Sequence, residues 1–488
     1  MVVGEVAVET DVVVIGGGPG GYAAAIRLGI LGKSVTLIEK ESLGGVCLNK
    51  GCIPSKAFIH MAEQYHQLNN LNKMGIRFNG EVEPVDLGVW QDWKQGIVSK
   101  LNSGVVNLCE QNGVSVVKGK ASFLSDSRVG VETDGDFEVY KFEYAIIATG
   151  SKATAPYMLQ TDGEYILDSS SALALTDVPE NLTVVGGGYI GIELGTAFAK
   201  IGTKVTIIEV TDSLLPHVSE EMVKEVSKKA RKLGIKIRTA TNVEKATVNN
   251  EKVELQLKEG RKEDVVVTDK VLVTVGREPN TDSIAIEQTG IIKNDRGFLE
   301  VDSECRTNVS HIFAIGDVTP GPALAHRATK QGVVAAEVIG GLPSAIDTPF
   351  IPYVIFSDPQ IAGVGLTKEE AIESGYEVKT GTFPFQANGR ALATDELEGV
   401  AKVIVDANTH VLLGMHVVGS DASNLIGEGV LALELAARVE DIAMSVHPHP
   451  TLTEVWLEAA EEALGHAIHI VNDQNKEKNM DRSMTIFR

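Results

Sequence analysis

The strongest constraint on this chain is a pattern that occurs twice. Residues 11–15 read "DVVVI", a short apolar strand, and are followed by "GGGPGG" and a helical run, "YAAAIRLGILGK". The G-x-G-x-x-G spacing falls on Gly16, Gly18 and Gly21, and a second strand, "SVTLIEK", brings in the acid Glu39. Glycines allow the tight turn and let a pyrophosphate approach the free N–H groups of a helix N-terminus, while the acid can accept hydrogen bonds from a ribose diol. The stretch "NLTVVGGGYIGIELGTAFAKIGTKVTIIEV", residues 181–210, repeats each part, with Gly186, Gly188, Gly191 and the strand-end acid Glu209. A carboxylate at 209 repels a 2′-phosphate, and the following "VTDSLLP" supplies no arginine, so NAD is expected over NADP.

Two such cradles need two β-α-β units, and 488 residues exceed what one core organises. The expected class is α/β, with two Rossmann-like dinucleotide-binding domains and a C-terminal α+β domain. The first domain runs over residues 1–150 and closes at "YAIIATG", a strand leading into a turn at Thr149 and Gly150. The second occupies 151–278 and ends in a mostly β tail. The chain then returns to the first domain over 279–350 through "SHIFAIGDV", where Asp317 follows Gly316 at a strand end and can bind a ribityl hydroxyl. From 351 to 471, the strands "GVAKVIVD" and "LLGMHVVG" alternate with the helices "NLIGEGVLALELAAR" and "LTEVWLEAAEEALGHAI", an antiparallel sheet with helices on one side. Residues 472–488 form a polar tail.

A formal net charge of -22 argues against a nucleic-acid surface and suits a basic partner. There is no run of eighteen apolar residues, and the opening "MVVGEVAVETD" lacks the basic region of a secretory signal. With only four cysteines there is no extracellular disulfide framework, and a cytoplasmic location is expected.

Two of those four cysteines, Cys47 and Cys52, fall in "GGVCLNKGCIPSK". A metal site, a structural staple and a redox pair are the available readings. Zinc lacks a second matching pair, because Cys109 and Cys305 are isolated. Five residues of ideal helix rise about 7.5 Å, whereas bridged Cα atoms lie about 4.4–6.8 Å apart, so a bridged pair cannot occupy regular helix. Gly51 can bend the chain, and Pro54 can enter the first turn of a helix over "SKAFIHMAEQYHQL".

The pieces "GGGPGGYAAAIRLG", "GGVCLNKGCIPSK", "IIATGS", "VVGGGYIGIELG", "VGREPN", "IFAIGDV", "LAHRA" and "HPHPTLTE" run in one order along nearly the whole chain. In this the chain resembles the class I pyridine nucleotide-disulfide oxidoreductases. The resemblance implies an FAD domain split by an NAD domain, an interface domain that builds a homodimer, and oxidation of dihydrolipoamide to lipoamide with NAD as acceptor. It makes Cys47 and Cys52 a redox-active disulfide, Cys47 the flavin-side thiol and Cys52 the interchange thiol. It makes His449 the base, oriented by Glu454 and reaching the partner protomer's cysteine pair, and Lys56 a cation near the flavin paired with Glu193. Gly119, Ala325 and Gly276 join the cofactor-binding residues already named. A lipoyl acyltransferase core or a lipoyl carrier protein is the implied partner.

The usual motif carries threonine in place of Val46 and valine in place of Lys50, and Lys50 puts a cation between the thiols. Only His449 of the histidine doublet has the following "PT" and Glu454, so His447 is not the expected base. A mercuric reductase or a large thioredoxin reductase would carry a further cysteine pair near the C-terminus, and none follows Cys305. A glutathione reductase-like disulfide reductase is the alternative, and Glu209 argues against it.

Overall fold

The computed structural model describes residues 7–68, 71–77, 82–347 and 350–471, so the tail expected at 472–488 lies outside them. The chain divides into two compact units, Met1–Glu180 with Lys245–Leu255 and Val267–Asp347, and Asn181–Glu244 with Gln256–Val266 and Thr348–Arg488. Among the described residues, no helix is long and apolar enough to cross a membrane.

The first unit is built around the strand Val8–Ile15, which pairs in parallel with Val35–Glu39 on one side and Phe137–Ile147 on the other. Val12, Val13 and Val14 are fully buried, as a central parallel strand covered on both faces requires. Val114–Lys118 extends the sheet beyond Val35–Glu39, and Ile312–Ala314 joins Phe137–Ile147 in parallel. A meander of Lys120–Ser125, Arg128–Glu132 and Phe137–Ile147 pairs antiparallel, which the sequence reading did not anticipate. The first strand is longer than "DVVVI" because Val8, Glu9 and Thr10 find partners in Tyr140, Lys141 and Phe142.

The helix after the first glycine loop spans Pro19–Ile30, three residues earlier than "YAAAIRLGILGK" suggests. Proline at its first position has no N–H to lose and a backbone angle already suited to helix. This helix packs against Ala325–Ile339 at backbone distance. A Cβ on Gly332 would stand 2.4 Å from the Gly20 carbonyl oxygen, and one on Gly20 would stand 2.8 Å from that of Ala328. Such crowding admits no side chain, so the two helices meet only because both positions are glycine. Arg27 and Glu337 close the far end of the contact with an ion pair at 2.6 Å. The return of residues 279–347 to the first cradle, expected from "GDV", is therefore a matter of direct packing.

The second unit opens with parallel strands Asn181–Val185, Lys204–Ile208 and Lys236–Arg238, with the helices Tyr189–Lys200 and Glu220–Lys232 between them. Its C-terminal part is an antiparallel five-stranded sheet, ordered Tyr353–Ile355, Gln360–Gly365, Leu412–Gly419, Val400–Asp406, Val378–Pro384. The helices Ala422–Glu434 and Glu454–Leu464 cover it, burying Trp456, Val455, Ala459 and Met415 in one core. The indole N–H of Trp456 donates to the Leu425 carbonyl at 3.1 Å and ties the two helices together. Gly381 lets the last helix lie against the sheet, since a Cβ there would be 2.0 Å from the Ala459 oxygen.

The helix expected to reach Ile468 ends at Leu464, because Gly465 takes a left-handed backbone, φ 80°, that caps it. The helix expected to run to Arg438 ends at Glu434 and gives way to a separate short helix, Val439–Ala443.

Candidate active site

The two cradles share their turn and their bracing acid. Gly16 accepts the turn with φ 105° and Gly186 with φ 109°. Gly18 and Gly188 face open space: a Cβ at either would meet no atom within 4 Å, so protein packing does not require glycine there. Gly21 is required by close approach, since its Cβ would lie 1.8 Å from the Gly16 oxygen; Gly191 is buried in its helix. The turn at Gly16 and the close approach at Gly21 are two of the jobs a dinucleotide cradle assigns to its glycines.

The strand-end acids have a role that spacing alone does not show. Glu39 accepts from the Gly17 amide at 2.7 Å through Oε2 and from the Glu41 amide at 2.8 Å through Oε1. Glu209 repeats this with the Gly187 amide at 2.6 Å and the Thr211 amide at 2.8 Å. Each carboxylate braces its glycine loop, and the lone pairs that remain can accept from a ribose diol. Gly119 follows the third strand and donates its amide to the Glu39 carbonyl at 3.0 Å.

Beside the first glycine loop, where the Ala148 amide donates to the Ile15 carbonyl at 2.8 Å, residues 148–151 are held by 277–280. Thr149 donates through Oγ1 to the Asn280 carbonyl at 2.7 Å, and Asn280 donates its side-chain amide back to the Thr149 carbonyl at 3.1 Å. The Asn280 backbone amide donates to the Gly150 carbonyl at 2.9 Å. Ser151 donates to Asp317 Oδ2 at 2.6 Å and receives Arg277 Nε at 2.7 Å. Gly276, at φ 148°, accepts from the Thr154 amide at 3.0 Å. Ala325 opens the helix that packs on the first cradle. Ser151, Arg277 and Asn280 were not among the residues chosen from sequence, although "IIATGS" and "VGREPN" contain them; their importance lies in a pairing between segments more than a hundred residues apart.

Cys47 lies in a short helix, Gly45–Asn49, and Cys52 is the first residue of the helix Cys52–Leu68. The thiol region is thus more helical than the irregular turn expected, and the bend is confined to Lys50 and Gly51. Pro54 falls in the first turn of the second helix. Both cysteines are free thiols and are hydrogen-bonded to each other. That bond and then burial push the Cys47 thiol up, against the lowering field of Lys56. Two thiols in contact titrate as a pair, so the first thiolate formed opposes loss of the second proton. The thiol helix abuts the cradle: a Cβ on Gly45, at φ 58°, would be 2.7 Å from the Gly18 Cα. Lys50, the cation between the thiols in sequence, directs its ammonium to Glu41. Cys109 and Cys305 are fully buried, and burial pushes their thiols up to about 11 and about 12, so neither supplies thiolate at neutral pH.

In the second unit, His449 Nδ1 lies 2.8 Å from Glu454 Oε1, with the ring largely exposed and Nε2 free of hydrogen bonds among the described residues. Glu454 Oε2 accepts from the Thr451 amide at 2.9 Å. Burial raises the Glu454 carboxyl, but the Thr451 amide and His449 outweigh it and leave the group below the usual carboxylate range. An ionised carboxylate on one ring nitrogen fixes the tautomer that keeps the other nitrogen basic. Glu193 is buried in the second cradle's helix and accepts from the Phe356 amide at 2.9 Å.

Glycine cradles in both units, a thiol pair against one of them and a carboxylate-oriented histidine describe a flavin- and nicotinamide-dependent disulfide oxidoreductase. Residues 10–332 match the family described as pyridine nucleotide-disulphide oxidoreductase, residues 351–460 match its dimerisation domain, and the chain belongs to this family. Its fold class is accordingly two Rossmann-like α/β domains with a separate C-terminal dimerisation domain. The particular relatives are dihydrolipoyl dehydrogenases. That of Halobacterium salinarum is 44% identical over 476 residues, spanning 97% of this chain and 100% of the relative, and that of Geobacillus stearothermophilus is 46% identical over 471, spanning 96% and 100%. Among solved structures, LpdA from Mycobacterium tuberculosis superposes with a TM-score of 0.86 at 26% identity, covering 93% of this chain and 99% of that one. The HOCl-induced flavoprotein disulfide reductase RclA from Escherichia coli gives 0.82 at 27%, covering 92% and 99%.

Glu209 carries the expectation of NAD over NADP in the second cradle. A 2′-phosphate against this carboxylate costs more than about 1.4 kcal/mol, so catalytic efficiency with NAD should exceed that with NADP by at least about tenfold. Steady-state kinetics with both cofactors check this; equal efficiencies remove Glu209 from the role.

Proposed function

We propose that this chain is an NAD-linked dihydrolipoyl dehydrogenase. It oxidises dihydrolipoamide to lipoamide through the Cys47–Cys52 pair and works as a homodimer with FAD and NAD. The observation that carries the reading is the thiol pair in mutual contact, with the short Cys47 helix touching the first cradle. The residues present fit both groups: open space at Gly18 and Gly188, braced acids at Glu39 and Glu209, and Asp317 fixed by Ser151. FAD is assigned to the first cradle with Thr149, Gly150, Asp317 and Ala325, and NAD to the second with Gly276. Residues 1–150 with 279–350, then 151–278, then 351–471 are the proposed FAD, NAD and interface domains.

FAD, when bound, accepts two electrons from the protein dithiol and delivers them as hydride to NAD. The chain's own residues do the rest. His449 takes a proton from one substrate thiol, and that sulfur attacks Cys52 of the oxidised pair. A substrate–Cys52 bond forms as the Cys47–Cys52 bond breaks, with Cys47 leaving as a thiolate that Lys56 stabilises. The second substrate sulfur gives up its proton and displaces Cys52, which takes that proton, so lipoamide closes and the protein pair is left reduced. Glu193 is assigned as the counter-ion of Lys56, and His449 as acting on the cysteine pair of its partner protomer. The acidic surface implied by the -22 charge fits a basic peripheral domain on a lipoyl acyltransferase core.

Cys52→Ser should retain FAD and NADH-driven reduction of artificial acceptors while losing NAD-linked dihydrolipoamide oxidation. Substantial lipoamide turnover in that variant would sink the relay. His449→Gln should lower dihydrolipoamide oxidation by about 10²–10⁴-fold with flavin content unchanged, and Glu454→Gln should cost less, since an amide still orients the ring. A nearly silent His449→Gln would show that the base lies elsewhere. Pull-down from lysate should recover an acyltransferase partner more strongly at low salt than at high salt; recovery of none at low salt counts against the docking and leaves the activity intact.

A further inference from the structure

His447 shares its segment with His449, yet its ring is placed for different work. Its side chain is 6% exposed against 76% for His449. Nε2 of His447 lies 2.9 Å from Glu428 Oε1, and Nδ1 lies 3.0 Å from the Ser445 carbonyl oxygen. Neither a carbonyl nor a carboxylate can donate. A neutral imidazole carries one N–H and satisfies one of these acceptors, whereas an imidazolium satisfies both. The geometry therefore calls for the charged ring.

We propose that His447 is held as an imidazolium by Glu428 and is a positioning residue that fixes residues 445–451, and with them the orientation of His449. The inference rests on the reading of His449 as the base. It deepens the division of the doublet into one buried, charged anchor and one exposed ring with a nitrogen to spare.

The segment is short and tied at both ends. At its start, His447 reaches the helix Ala422–Glu434 through Glu428. At its end, the Thr451 amide and His449 both reach Glu454, the first residue of the helix Glu454–Leu464. The Trp456–Leu425 hydrogen bond joins these two helices, so the anchors share one frame. Thr451 also donates to the Pro448 carbonyl at 2.7 Å, and Asn388 donates to the Thr451 carbonyl at 3.0 Å. Pro448 and Pro450 restrict the backbone on either side of His449. The charged groups facing His447 are Glu428 from one helix and Glu454 from the other, with His449 on its own segment. The Glu428 hydrogen bond raises the His447 pKa above its ordinary value, with burial opposing and the charges of Glu428 and Glu454 adding to the rise.

The sign follows. A histidine whose folded pKa lies above its unfolded value stabilises the fold fully below the unfolded pKa, and that contribution is lost as pH rises through the folded one. The tether is therefore complete below the ordinary histidine pKa and is lost as pH rises through the raised one.

The test compares wild type with His447→Gln, Glu428→Gln and the double variant as intact holoenzymes. The Tm gap between wild type and His447→Gln should be widest near about pH 6 and narrow towards about pH 9. A gap unchanged over that range overturns the imidazolium anchor, whether or not the chain oxidises dihydrolipoamide. In Glu428→Gln, dihydrolipoamide oxidation should fall about tenfold near pH 8 but less than about twofold near pH 6, where the ring stays protonated without its carboxylate. NADH-driven reduction of an artificial acceptor and flavin content should match wild type. Adding Glu428→Gln to His447→Gln should cost nothing further. A loss in Glu428→Gln that is the same at every pH, or no loss at all, overturns the positioning role. Absence of dihydrolipoamide oxidation in wild type is the distinct signature of a failed functional reading.

Discussion

The bond from a strand-end carboxylate to the amide of a loop glycine, Glu39 to Gly17 and Glu209 to Gly187, is the interaction on which both nucleotide sites depend. Glycine loops are free to move, and that freedom must be removed before they can cradle a phosphate. A charge-assisted bond of 2.6–2.7 Å from the strand-end acid does so. The same loops then accept a second restraint: the Gly17 carbonyl receives the Gly44 amide, and the Gly187 carbonyl receives the Leu215 amide. In the first cradle this restraint comes from the segment that carries the thiols, so loop geometry and thiol placement are one problem.

Much of this was legible in the chain. Both cradles, their acids and the cysteine motif are local patterns in which sequence spacing sets spatial spacing. The C-terminal strands and helices were also legible from their periodicity, apart from their ends. Those ends depend on single backbone choices, such as the left-handed Gly465. What stayed hidden was long-range. Nothing near Ser151 announces that its hydroxyl will hold Asp317, and nothing near Asn280 announces Thr149. Nor does the "HPHP" doublet reveal which ring is enclosed, because that depends on Glu428, nineteen residues earlier.

The four cysteines separate by environment. Cys109 and Cys305 are dry core residues held protonated by burial, small hydrophobes in effect. Cys47 and Cys52 have each other and the field of Lys56, and Cys52 is exposed. An oxidant or a dithiol in solution therefore meets one reactive sulfur first, with a second sulfur in contact behind it. The chain can thus keep half its thiols through repeated redox cycles without scrambling them against the others.

The glycine contact between the helices Pro19–Ile30 and Ala325–Ile339 has a consequence for biosynthesis. Gly20 and Gly332 are separated by 312 positions. At about 5–20 residues per second, the ribosome takes roughly 15–60 s to deliver the second helix after the first. Throughout that interval the nascent first domain has its strand and its phosphate loop but lacks the helix that covers Gly20 and Ala24. An apolar face is left for chaperones to guard, and the first domain to be translated is among the last to be finished.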